Sequence, residues 1–468
     1  MSSSKNGVHI LVFPFPAQGH MLPLFDLTQQ LALRGLTITI LITPKNLPIL
    51  NPLLSSNPSI QTLIFPFPPD PLIPPGVEHV EDLGNRGNIP IITALSRLQE
   101  PIIHWFKSHS NPPVAILSDF FLGWTYHLAQ QIGIPRVTFY SSPAFSIDIY
   151  AHLWRNADAV KPGEEIKFHD LPRAPSFAWY QISSLFRRYR ESDCNDRARL
   201  ELVKDSFVAN RLSSASIYNT FEELEDDFLD YFRKKLGHSR VYAVGPLYMM
   251  IARSNDANDE DVISWLDQWD DESVLYVCFG SQKLLKKAQM EALAMGLEKS
   301  GVRFIWVVKP LTAQQVEDGY GFAPDGFEDR VKGRGFVIQG WAPQKSILSH
   351  RAVGCFLSHC GWNSTLEAIA AGAMILGWPM EADQFVNARL LVEYKGVAAI
   401  ACEGGDTVPD SDELARKITE SMHEDRIERV RAKELRNKAL EAIKVGGSSH
   451  GGLDELVQEL DQLKVKKV

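Results

Sequence analysis

His359, Asn363, Ser364 and Glu367 hold the clearest chemical promise in the chain, because of what flanks them. The short apolar run Val353 to Ser358 (VGCFLS) ends at His359-Cys360-Gly361, the pattern of a buried parallel strand that opens into a tight loop at its carboxyl end. A helix is expected next, carrying Leu366, Ile369 and Ala370, with Asn363 or Ser364 as its N-cap. Glu367 lies at capping-box spacing after Ser364. Such a helix start presents unpaired backbone N–H groups and partial positive charge, which suits a diphosphate, and His359 and Ser364 can add donors. Taken alone, the pattern is equally an ordinary strand, turn and well-capped helix. Asn363-Ser364-Thr365 also spells a glycosylation sequon, discounted because it sits at a helix start in a chain without an export signal.

A second set of residues could move a proton. His20, in PAQGHM, is expected in the loop between the first strand and its helix, at the sheet end where α/β proteins place their sites. From the residues alone, helix capping or a surface role is the stronger reading for a lone histidine. Asp119 closes a strand of the same sheet, so its carboxylate could orient His20 or could cap a helix, and spacing leaves these readings even.

The elements that must position these residues alternate regularly. His9 to Phe13 reads as a strand, Leu24, Leu27 and Leu31 as one helix face, and Thr37 to Thr43 as a second strand. Val114 to Ser118, a helical stretch from about Gly123, and Arg136 to Tyr140 continue the series. From Ser273 the pattern restarts with VLYVCFGS, a helix carrying Met290, Leu293 and Leu297, and the strand Phe304 to Val308. Two α/β domains with parallel sheets follow, divided near Met250 into 1–250 and 251–468, with the acidic Ser254 to Asp261 (SNDANDED) as linker. The segments from about Pro66 to Gly87 and Lys161 to Arg199 lack clear periodicity and are expected to be loops.

Composition agrees. A chain of 468 residues exceeds one ordinary core, and 45% hydrophobic with 22% charged residues describes a soluble globular protein. With a formal net charge of −9 and scattered Lys and Arg, no nucleic-acid footprint is expected, and small molecules are the expected partners. The five cysteines show no CxxC spacing and are expected to be free thiols. The start, MSSSKNGVHILVFPFP, is too short and too interrupted by proline for a signal peptide or a membrane span, so a cytoplasmic location is the default expectation. Two acidic triplets, Asp259-Glu260-Asp261 and Asp410-Ser411-Asp412, read as linker and helix cap, and no metal or other cofactor is expected.

Residues 341 to 384, WAPQKSILSHRAVGCFLSHCGWNSTLEAIAAGAMILGWPMEADQ, resemble the 44-residue signature box of plant family 1 UDP-dependent glycosyltransferases, with WAPQ, HCGWNS, the following glutamate, WP and the closing DQ at family spacing. The resemblance implies a GT-B architecture, two Rossmann-like domains facing across a cleft, the acceptor mainly on the first, the UDP-sugar on the second, and the last helix packed back on the first. It implies that Trp341 stacks on the uracil, that Ala342 and Gln344 contact base and ribose, and that Glu367 binds the ribose hydroxyls. It places Ser281, His359, Asn363 and Ser364 around the diphosphate, Trp362 among the UDP-sugar-binding residues, and Asp383 and Gln384 on the sugar, with Gln384 pointing to glucose. Trp341 could equally be a core tryptophan. PAQGHM is similar to the family's catalytic-histidine motif, which makes His20 the general base and Asp119 its orienting partner.

The implied reaction is one direct displacement. His20 takes the acceptor proton, the oxygen attacks the anomeric carbon opposite the diphosphate, and a β-O-glucoside results. A phenol, with a pKa of about 10, suits a single histidine. Phe15, Phe120, Phe121, Trp124, Tyr140 and Phe145 are candidates for an apolar acceptor pocket, and several are expected to be core instead. The opening HILVFPFPAQGHMLPLFDLT and LITPKN look most like a branch acting on flavonols and phenolic acids. Met374 stands where most relatives have proline. UDP-rhamnose or UDP-xylose as donor, or a non-catalytic UDP-sugar-binding protein, would keep these motifs, whereas a nicotinamide-dependent enzyme would need a GxGxxG that PFPAQGH replaces. A monomer is expected.

Overall fold

The computed structural model describes residues 7–192, 196–251 and 260–465. Cys194, most of the acidic linker and Asp259 lie outside the described residues, while Glu260 and Asp261 open the short helix Glu260–Leu266.

The first sheet holds seven strands. They are β1 (His9–Phe13), β2 (Thr37–Ile42), β3 (Gln61–Ile64), β4 (Ala115–Asp119), β5 (Arg136–Tyr140), β8 (Ala215–Tyr218) and β9 (Val241–Ala243), with the separate two-residue strands β6 (Ile166–Lys167) and β7 (Ser176–Phe177) forming a hairpin between β5 and β8. The order is β3-β2-β1-β4-β5-β8-β9, and each pairing is parallel. The second sheet follows the same plan with β10 (Val274–Cys278), β11 (Arg303–Val308), β12 (Gly335–Gln339), β13 (Val353–Ser358), β14 (Met374–Gly377) and β15 (Ala398–Ile400), ordered β12-β11-β10-β13-β14-β15 and again parallel throughout. Continuous burial along β1, β4, β5 and β13 explains their largely apolar sequences, since helices cover both faces of a parallel sheet. In each sheet the direction of strand addition reverses between the first strand and its fourth-added neighbour, β1 against β4 and β10 against β13. Ligands of such sheets bind beyond the carboxyl ends at that reversal.

Contacts divide the chain into two units, one holding the described residues of 1–179, 184–251 and 441–468, the other those of 180–183 and 252–440. A single cut near Met250 assigns the chain's last segment to the second unit, whereas its contacts lie in the first. Leu453, Leu456 and Leu460 of the helix Ser448–Val465 belong to the core built on β1, β2, β4 and β5. Arg34 Nε donates to Asp454 at 2.8 Å and Ser449 Oγ donates to the Gly245 carbonyl at 2.6 Å, fixing the same helix. The span Lys161 to Arg199 is also more regular than its sequence suggests. Beyond the hairpin it contains the helix Ser184–Glu191 and the start of the helix Arg197–Ala209, whose periodicity is masked by closely spaced arginines. Met374 begins β14 and pairs with Cys355, an ordinary first-strand position.

Candidate active site

In the first unit, Asp119 is the last residue of β4 and His20 is the third residue of the helix Gln18–Leu33, so His20 lies in the helix's first turn and not in the preceding loop. His20 Nδ1 meets Asp119 Oδ2 at 2.9 Å, and Asp119 Oδ1 accepts the Phe121 N–H at 2.8 Å. A carboxylate only accepts, so Nδ1 carries the proton and Nε2 keeps its lone pair. Asp119 is fully buried and the His20 side chain is 18% exposed, a carboxylate inside and an imidazole that reaches the surface.

Arg136, invisible to the sequence argument, locks this corner. Its guanidinium is buried and donates to Ser118 Oγ at 2.9 Å, Asn210 Oδ1 at 2.8 Å, Ser213 Oγ at 3.0 Å and the Asp119 carbonyl at 3.2 Å. Burial pulls its pKa down to about 10, which leaves it cationic at neutral pH.

Aromatic rings surround His20. Phe120 stacks on it with centroids 5.4 Å apart, Phe121 lies 4.6 Å away, and Phe15 makes a T-shaped contact at 5.3 Å. Phe15 and Phe120 are packed shut, and Phe121 is the one of the three that keeps surface. The other expected pocket residues are core. Tyr140 stacks on Tyr218 at 4.6 Å, Phe145 stacks on Phe228 at 4.3 Å, and Trp124 makes a T-shaped contact with Phe13 at 5.9 Å, all three buried because their strands and helices turn them inward. Phe207, on the helix Arg197–Ala209, was not foreseen. It lies 5.6 Å from Phe121 and stacks on Trp154 at 5.0 Å.

In the second unit, β13 ends at Ser358 and the following helix runs Trp362–Ala371 with Gly361 as its N-cap. Asn363 and Ser364 therefore sit inside the first turn, and Ser364 with Glu367 does not form a capping box. Both instead accept from Gln344, whose Nε2 reaches Ser364 Oγ at 3.1 Å and Glu367 Oε2 at 2.6 Å, while Tyr276 donates to Gln344 Oε1 at 3.3 Å. The first bond within the helix runs from Thr365 N–H to the Gly361 carbonyl at 2.9 Å, so the earlier N–H groups, of Trp362, Asn363 and Ser364, are aimed out of the helix end.

Two glycines shape the loop. A Cβ on Gly280, after β10, would stand 2.6 Å from His359 Nε2, and one on Gly361 would stand 2.4 Å from it, so the imidazole lies flush against both backbones. Cys360 takes a left-handed φ of 62°, held by Ser358 Oγ accepting its N–H at 3.2 Å and Asn387 Nδ2 donating to its carbonyl at 2.9 Å. His359 Nδ1 is buried without a hydrogen-bond partner among the described residues. Burial first, then the charges of Lys309 and Lys283, push the His359 pKa down to about 4.

The remaining expected donor-side residues lie in the same unit. Trp341, 65% exposed, is not a core tryptophan. Ala342 accepts the Gln344 N–H at 2.8 Å. Ser281 lies in the turn after Gly280. Asp383 is the N-cap of the helix Gln384–Arg389, and the Gln384 side-chain carbonyl accepts the N–H groups of Met380 at 2.9 Å and Glu381 at 3.1 Å. These bonds fix the amide's orientation and assign its Nε2 the donor role. Asp410 caps the helix Ser411–Ser421 through the N–H groups of Asp412 and Glu413. Cys278, Cys355, Cys360 and Cys402 are free thiols. Among the described residues, no helix is long and apolar enough to cross a membrane.

Comparisons with known proteins bear on both units. Residues 250–410 match the family described as UDP-glucoronosyl and UDP-glucosyl transferase. The chain is 52% identical to UDP-glycosyltransferase 89A2 of Arabidopsis thaliana, over 99% of this chain and 98% of that one. It is 48% identical to the flavonol 3-O-glucosyltransferase UGT89B1 of the same plant, over 98% and 97%. The crystal structure of Arabidopsis thaliana UGT89C1 complexed with UDP-L-rhamnose superposes with a TM-score of 0.79 at 40% identity, covering 97% of this chain and 99% of that one, and the same enzyme was crystallised with quercetin. With close likeness over nearly its whole length, the chain is an enzyme of the plant family 1 UDP-dependent glycosyltransferases, in the branch that contains flavonol glycosyltransferases.

Proposed function

We propose that this enzyme transfers glucose from UDP-glucose to a phenolic hydroxyl of a small aromatic acceptor, a flavonol or phenolic acid, with inversion at the anomeric carbon and without a metal. The observation that carries the reading is the His20–Asp119 pair at the strand reversal of the first sheet, with Nε2 left as the basic atom. His20 Nε2 takes the phenolic proton, Asp119 steadies the imidazolium, and the oxygen attacks the anomeric carbon as the bond to the β-phosphate oxygen breaks. The partly open Phe121, 4.6 Å from the His20 ring, suits a flat acceptor beside the base.

On the donor side, the bare face of Trp341 takes the uracil and Glu367 the ribose hydroxyls. The start of the helix Trp362–Ala371, with His359, Ser364 and Ser281, takes the diphosphate. Asp383 and the Gln384 amide N–H2 bind the sugar hydroxyls. Support for a flavonol comes from UGT89B1, named as a flavonol 3-O-glucosyltransferase, and from the quercetin complex of UGT89C1. UDP-rhamnose is the second reading, favoured by the relative crystallised with UDP-L-rhamnose.

The test is a donor panel of UDP-glucose, UDP-rhamnose, UDP-xylose and UDP-galactose against mixed flavonoids and phenolic acids, with and without EDTA, read by product mass. The expected product is a hexose adduct, insensitive to EDTA and reduced by about 10²–10⁴-fold in His20→Ala and Asp119→Asn. A deoxyhexose adduct would transfer the assignment to rhamnose, and undiminished turnover by His20→Ala would remove His20 as the base.

A further inference from the structure

The diphosphate of a UDP-sugar is a dianion, and it gains further negative charge as the anomeric bond breaks. The groups assigned to it so far supply little positive charge. His359, with its pKa near 4, is neutral at physiological pH and can offer a hydrogen bond but no cation. The helix start offers only a partial charge, and Glu367 and Asp383 are acids.

Lysines occupy the gap. Lys309 follows the last residue of β11, next to the β10 end where Gly280 and Ser281 turn, and its ammonium donates to the Ser281 carbonyl. Ser281 adjoins Gly280, on which the His359 ring rests, so ammonium, turn and imidazole form one contiguous group in the second unit. Lys283 follows two residues later, its Nζ 3.1 Å from where a Cβ on Gly405 would lie. Both lysines are partly exposed, and they are the charges that reach His359 most strongly, Lys309 before Lys283.

We propose that Lys309, assisted by Lys283, is the cation that binds the donor's diphosphate and stabilises the departing UDP. The proposal rests on the donor-site reading above. The bond from the anomeric carbon to the β-phosphate oxygen breaks with its electron pair going to that oxygen, the acceptor oxygen forms the new bond, and the acceptor proton goes to His20. Lys309 keeps its proton throughout and shares an N–H between the Ser281 carbonyl and a phosphate oxygen. Its effect grows with the charge, so it acts on kcat as well as on binding.

The test compares Lys309→Gln, which keeps an N–H donor for Ser281 without the charge, with Lys309→Arg, which keeps the charge, and with Lys283→Gln. Calorimetric titration with UDP and with uridine is paired with kcat and donor KM. The expected result for Lys309→Gln is a loss of about tenfold or more in UDP affinity with uridine affinity unchanged, and a lower kcat. Lys309→Arg should recover most of both, and Lys283→Gln should lose less. Equal losses for UDP and uridine, or wild-type behaviour in Lys309→Gln, would overturn the proposal. Should the unmutated enzyme bind uridine as tightly as UDP, the diphosphate site itself falls, a separate failure visible before any variant is made.

Discussion

Pressed against two glycine backbones and facing Lys309 and Lys283, His359 holds a proton poorly, and this gives the enzyme's stability a pH dependence with a definite sign. Its folded pKa of about 4 lies below the ordinary 6.5, so the unfolded chain binds the proton more readily. Stability from this group is intact above pH 6.5 and is lost as pH falls toward 4, by about 3 kcal/mol at most. Burial lowers His9, His79 and His152 in the same direction, so His359 accounts for part of the acid sensitivity. Urea midpoints at pH 7 and pH 5 should fall further apart in the wild type than in His359→Gln, and an equal separation would assign the effect to the other histidines. At this scale the sequence revealed residues that carry motifs and missed those that brace them. Arg136 in RVTFY looks like an ordinary strand-edge arginine, and only the packing of Ser118, Asn210 and Ser213 around it shows what it holds. Asn387, which clamps the left-handed Cys360, had no signal for the same reason.

Among elements, β1, β5 and β13 were legible to the residue, because buried parallel strands read as short runs rich in apolar and β-branched or aromatic residues between turn signals. The ends of helices were less legible. Ser364 and Glu367 have the spacing of a capping box, yet the helix begins earlier, where Gly361 lets His359 lie against the backbone. Spacing cannot distinguish a glutamate that reaches back to its own helix from one that accepts from Gln344 on another. The turn after β10 depends as closely on glycine. Gly280 has a φ of 73° and no room for a Cβ beside His359. Gly280→Ala should therefore destabilise the enzyme by about 1–3 kcal/mol and weaken UDP binding about tenfold or more by displacing His359 and Ser281 together. Thermal unfolding and UDP titration check both halves, and a variant with native UDP affinity would show that the loop adapts.

Taken whole, the molecule repeats one plan. Each parallel sheet places its candidate site residues where strand addition reverses, with Asp119 and the His20 helix at β1 and β4, and Ser281 and His359 at β10 and β13. The repetition was readable from the alternation of strands and helices, whereas the packing of the last helix on the first unit came only from the family resemblance of its sequence, since a division by sequence position follows the chain and a core does not. Leu456 lies fully buried in the first unit's core, and Leu456→Ala should cost about 2–5 kcal/mol. Hydrogen exchange should show the loss in the amides of β1, β2 and β9 with those of β10 to β15 retaining their protection. Matching losses in both sheets would mean that the two units unfold as one.

The same helix sets an order on synthesis. Leu453, Leu456 and Leu460 leave the ribosome after every strand has emerged, so the core begun by β1 is completed last, and the apolar surface that awaits these leucines stays uncovered through the whole translation of residues 252–440. A stop codon before Leu453 thus damages the part of the protein made first.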